Sequence, residues 1–94
     1  MSLGDILRAA FPEPQGSVYV ECEDDARIEV EDLGLFKIES IDGHFECSLI
    51  QNECVILEVS ADLPQTALRQ VLNDLDAMLS AQVEQVRKAR DTLI

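Results

Sequence analysis

The sequence predicts an α+β fold in one domain, residues 1–94. A short N-terminal helix leads into an antiparallel meander of four or five strands, and a long C-terminal amphipathic helix packs on one face of the sheet. Three observations predict it. The apolar period changes from helical to alternating after "PEPQG" at 12–16. A "DG" pair at 42–43 divides two alternating runs, the strongest short hairpin signal in the chain. No Gly or Pro interrupts residues 65–94, where leucines recur at steps of three and four. A chain this short buries only about 60–65% of the surface its unfolded form exposes, so it has room for one core. That core is mainly aliphatic: there is no Trp, one Tyr and three Phe.

In "SLGDILRAAF", Leu3, Ile6, Leu7, Ala10 and Phe11 share one side, an amphipathic pattern of about two turns. The prolines that follow exclude helical backbone from the residues before them and end the helix. "SVYVECE" then places Val18, Val20 and Cys22 on one face and Tyr19, Glu21 and Glu23 on the other. "DDA" turns the chain, and "RIEVE" repeats the alternation with Ile28 and Val30 inward. After "DLG", Phe36 and Ile38 alternate with Lys37 and Glu39, while Leu35 and Ile41 make the second face partly apolar. Beyond the "DG" turn, "HFECSLI" directs Phe45, Cys47 and Leu49 to one side. "QNE" turns once more, and "CVILEVS" directs Val55, Leu57 and Val59 inward. Connections this short demand antiparallel pairing, because a parallel return needs a crossover of about a dozen residues. One face of the meander is apolar and the other carries much of the acid.

A one-sided sheet must cover its apolar face, and the last third of the chain supplies the cover. Ser60 or Asp62 is positioned to cap the final helix, and Pro64 fits its first turn. Leu68, Leu72, Leu75, Leu79, Gln82, Val86, Ala89 and Leu93 then form a stripe that Val71, Met78 and Val83 widen. At 1.5 Å per residue the helix runs about 40–45 Å. Five strands spaced about 4.8 Å apart are little wider than 20 Å. The helix therefore outreaches the sheet, and its last turns, around Val83, Val86 and Leu93, overhang. Two readings of the stripe stand. Either it is core along its whole length with the first helix alongside, or its far half, with Leu75, Leu79, Gln82, Val83, Val86 and Leu93, is the seam of a two-fold homodimer.

Charge is distributed unevenly. Residues 1–62 hold fifteen acids and three bases, which accounts for the net charge of −12, and residues 63–94 hold four of each. A field of that sign repels phosphate backbones and anionic lipid, which argues against nucleic acid and membrane as partners and favours a basic protein or high solubility. No run approaches the roughly 18 apolar residues of a membrane span. The N-terminus lacks a basic region followed by an apolar core, so a cytoplasmic location is expected. Cys22, Cys47 and Cys54 have neither disulfide-framework nor zinc spacing, and read as small, reduced, half-buried side chains.

Catalytic patterns are absent. The lone His44 follows a hairpin turn and reads as a solvated turn residue. Cys47, on the face opposite Glu46 and Ser48, reads as packing with an inert thiol. The acid-rich "ECEDDARIEVED" lacks the glycine and spaced oxygen ligands of a calcium loop. No glycine-rich phosphate loop and no "GxSxG" elbow is present. The expectation is a non-enzymatic binding module with no cofactor and no metal.

The stretch "CVILEVSADLPQTALRQVLNDLDAMLSAQVEQVRKARDTLI" resembles the class I chaperones of type III secretion. Val55, Leu57 and Val59 stand for the apolar strand of that family and Leu63-Pro64 for its leucine–proline step. Leu68, Leu72, Leu75 and Leu79 stand for its helix, and "RKARDTL" for the polar, basic end. The resemblance implies a small, acidic, homodimeric protein around which an unfolded segment of a secreted effector wraps, with apolar side chains in surface grooves and a strand added to the sheet edge. Leu3, Leu7 and Phe11 with Val18 and Val20 are the candidate groove. The chain lacks the middle helix with which such chaperones build their dimer, since nothing between residues 17 and 60 has helical period. The alternative is an acidic immunity- or antitoxin-type inhibitor whose field steers association with a basic toxin or nuclease.

Overall fold

A computed structural model of the protein describes residues 2–12 and 16–93, with side chains for 2–12 and 21–93. The expected α+β architecture is present. Helix α1 (Leu3–Ala10) precedes strands β1 (Gly16–Glu21), β2 (Asp25–Val30), β3 (Gly34–Ile41), β4 (His44–Gln51) and β5 (Cys54–Ala61), and helix α2 (Pro64–Thr92) follows. The five strands pair in sequence order, each antiparallel to the next. The alternation drives this: Ile28, Phe36, Leu49 and Leu57 lie side by side across four strands, as do Ala26, Ile38, Cys47 and Val59.

Both helices cover that one face. α1 lies over β1 and β2, and α2 over β4 and β5. Leu3, Ile6, Leu7 and Phe11 join Ala67, Leu68, Val71 and Leu75 over the inward side chains of the sheet in one buried cluster. Phe11 closes it, its ring stacked on Phe36 with centroids 4.8 Å apart. The "DG" turn forms as expected, with positive φ at both Asp42 and Gly43.

Three local expectations are corrected. A register shift between Val18 and Val20 pairs Val20 with Arg27 and Glu21 with Ala26. A bulge adds one residue and reverses the face of everything beyond it, so Glu21 turns toward α1 rather than the polar face. A second shift pairs Leu49 with Leu57 but Ile50 with Val55. Val55 therefore leaves the inward row and is 55% exposed. Finally, the N-cap of α2 is Leu63, which makes no side-chain cap hydrogen bond, and neither Ser60 nor Asp62 caps the helix. Pro64 at the first helical position holds the preceding residue extended and removes one of the donors a cap would satisfy.

α2 has 29 residues, about 43 Å of rod. Its burial ends at Leu75, and every residue from Asp76 to Leu93 is exposed. The molecule measures 54 × 27 × 23 Å with a radius of gyration of 15.2 Å, against about 12 Å for a compact chain of this length. Core packing along the whole helix is therefore not realised, and the far half of the stripe overhangs the sheet.

Candidate functional site

The structure sorts the residues singled out in the sequence into buried and available ones. Leu3, Leu7 and Phe11 are core: the sheet and α2 fill the space in which a groove was expected. The side chains of Val18 and Val20 lie outside those described. Leu75 also belongs to the core, at 5% exposure, because it is the last stripe residue the sheet reaches. Leu79, Val83, Val86 and Leu93 are exposed, with Met78 beside them. Leu79, Gln82, Val83, Val86, Arg87 and Arg90 line a shallow trough along the free part of α2.

The second surface is the face of the sheet opposite the helices, which neither helix covers. Its rows follow from the register. Arg27, Lys37, Ser48 and Glu58 form one, and Asp25, Glu39, Glu46 and Ser60 the next. Charges pair along the strands: Arg27 with Asp25 at 3.4 Å, and Lys37 with Glu39 at 3.7 Å. Ser60 Oγ donates to Glu46 Oε1. The chain's acid is thus only partly on this face, interleaved with two of its bases, while the turns hold Glu31, Asp32 and Glu53. A third row, Leu35, Ile50 and Val55, is apolar and runs to edge strand β5. Beside it Glu29, Glu31, Asp32 and Glu53 line a notch between the β2–β3 and β4–β5 turns. Leu35 was visible in the sequence as an apolar residue out of phase. Ile50 was out of phase with inward Leu49 in the same way, whereas Val55 was not visible, because the bulge that turns it outward leaves no mark in the alternation.

A third cluster ties α1 to the sheet. Ser2 Oγ and Arg8 Nη2 both donate to the Glu21 carboxylate, each at 2.8 Å. Ser2 also closes a capping box with Asp5. Hydrogen bonds from Ser2, then Arg8, hold the Glu21 carboxyl below its ordinary range. The Asp5 carboxyl is lowered chiefly by the Ser2 backbone and side chain, and the Glu21 hydrogen bond raises Arg8. These groups are mutually satisfied, which marks the cluster as structural.

His44 is partly exposed, with Nε2 3.9 Å from Glu46 Oε1. Cys47 is sealed, and burial pushes its thiol up to about 12, so it holds almost no thiolate near neutrality. Cys22 and Cys54 are free and exposed rather than half-buried. Among the described residues no three His, Cys, Asp or Glu side chains converge as metal ligands do, and no helix is long and apolar enough to cross a membrane. Compared with known proteins, the chain matches no family model, no curated protein and no solved structure.

Proposed function

We infer that the protein is a non-enzymatic binding module of the secretion-chaperone kind, holding an extended segment of another polypeptide along the bare face of its sheet. The observation that carries this reading is the apolar row Leu35–Ile50–Val55, which ends at an edge strand and is bordered by Glu29, Glu31, Asp32 and Glu53. An edge strand offers unpaired backbone groups to an added strand, and alternate side chains of that strand find their specificity on the sheet face. The segment that fits such a border carries apolar residues flanked by basic ones. A reducing, cytoplasmic setting, in which exposed Cys22 and Cys54 stay free, belongs to the same reading.

The acidic notch also favours a second reading, an inhibitor that docks on a folded basic protein such as a toxin or nuclease. One experiment separates the two. The chain is co-expressed with the proteins encoded beside its gene, and complexes are probed by limited proteolysis and by salt. A chaperone-like complex protects an otherwise cleavable segment, and Val55→Asp releases that segment while the chain stays folded. An inhibitor complex involves a folded partner, weakens steeply with salt and ignores Val55→Asp. Failure of every neighbour to bind counts against both.

A further inference from the structure

We propose that the free part of α2, residues 76–93, is a dimerisation arm that pairs antiparallel with the same arm of a second copy of this chain. This pairing does not depend on what the bare sheet face holds. Its first support is the apolar stripe that outlasts the core: Leu79, Val83, Val86 and Leu93 continue the spacing of Leu68, Leu72 and Leu75, yet are exposed. A helix this polar on its other sides has no intrinsic reason to project about 25 Å beyond its sheet.

Charge selects the occupant and its direction. The body of the chain, residues 1–62, carries the whole net charge of −12, whereas Arg87, Lys88 and Arg90 sit close together near the end of the arm. A parallel pair sets two acidic bodies side by side and two basic tips together. An antiparallel pair separates the bodies and carries each basic tip toward the acidic body of the other copy.

The stripe fixes a register. With Leu79 and Val86 at one seam position and Gln82 and Ala89 at the other, antiparallel layers set Leu79 against Ala89 and Val86 against Gln82 of the second copy. Leu93 then reaches the level of Leu75 of the second copy, at the rim of its core. The flanking positions place Val83 beside its own equivalent and Asp76 opposite Arg90 of the second copy, so two-fold symmetry yields two opposite-charge pairs and no like-charge pair. Gln82 sits within the seam, where a polar residue at one position fixes register and partner number.

Sedimentation equilibrium on the full chain tests this, with exposed Cys22 and Cys54 replaced by serine to prevent disulfide cross-linking. The expected result is a dimer at micromolar concentrations. Val83→Glu with Val86→Glu converts it to a monomer whose thermal unfolding still begins from a folded core, because neither residue touches that core. Asp76→Arg alone and Arg90→Asp alone each weaken the dimer by about tenfold, and the two together restore it. In a parallel pair these positions lie about 21 Å apart along the seam and the double variant restores nothing. A full chain that stays monomeric, a dimer that survives both glutamates, or a double reversal without rescue overturns the proposal.

Discussion

Two turn residues show how strictly single positions are specified. Gly34 has a φ of +125°, and a β-carbon there would stand 2.6 Å from the Ile50 carbonyl oxygen, which as backbone cannot move aside. Gly34→Ala is therefore expected to cost roughly 1–3 kcal/mol in urea unfolding, from backbone strain and the collision together. Glu53 poses the converse problem. It occupies left-handed backbone at φ 66°, following Asn52 at φ 51°, where glycine is the better residue. Glu53→Gly should stabilise by about 1 kcal/mol, the usual cost of the left-handed conformation for a side-chain-bearing residue. A neutral or negative result would mean that the glutamate is held there by contacts absent from this structure. The cysteines offer a third check at this scale. Cys22 and Cys54 are exposed and Cys47 is fully buried with its thiol raised to about 12. A chromogenic thiol reagent at mildly alkaline pH should titrate two thiols at once and the third only as the chain unfolds. Three fast thiols would mean that the β3–β4 core opens readily.

At the scale of elements, α1 is too short to persist alone and is held by its apolar face and by Glu21. The bulge in β1 makes that anchor possible, by turning Glu21 to the helix side. Gly4 leaves room for it: any β-carbon at Gly4 would collide with the Glu21 carboxylate. The sign of the pH dependence follows. Glu21 and Asp5 bind protons less tightly in the folded chain than in the unfolded one, so their stabilisation is complete above the ordinary glutamate value of 4.5. It fades as pH falls through the lower folded values. Glu21→Gln should accordingly be less stable than the natural chain near neutrality, and the gap between their urea midpoints should close on acidification. A gap that widened in acid would contradict the assigned hydrogen bonds. Much of this level was legible in the sequence: a meander of four or five strands, their inward residues from Ile28 to Leu49, the "DG" turn and α2 all follow from apolar period and turn chemistry. The bulges were not, because an inserted residue in an apolar run such as "SLIQNECVIL" leaves the alternation readable in either phase. Pro64 was read correctly into the first turn of α2, but its cap was not, because Ser60 and Asp62 both look like caps while the fixed geometry of Pro64 makes Leu63 the boundary.

For the molecule as a whole, the comparison of helix length with sheet width anticipated the overhang, since both follow from fixed rises and spacings. Which apolar residues remain available was harder to read. Periodicity places Leu75 and Leu79 on the same stripe, yet the sheet ends between them, and only the three-dimensional extent of β4 and β5 divides core from arm. The same limit misassigned Leu3, Leu7 and Phe11, whose pattern cannot distinguish a groove from the core that occupies it. The resulting picture of a compact body with a projecting rod carries its own test. Ending the chain after Ala77 removes Met78, Leu79 and all that follows but leaves Ala67, Leu68, Val71 and Leu75 in place. The shortened chain should still fold cooperatively, and its radius of gyration in small-angle scattering should be about 11–12 Å, compared with 15.2 Å for the full monomer. Urea unfolding of the shortened chain should show no concentration dependence, since the arm that would couple two copies is gone. Loss of folding on this truncation would instead mean that the rod supports the core, and that the exposed side chains beyond Leu75 are not free to serve another polypeptide.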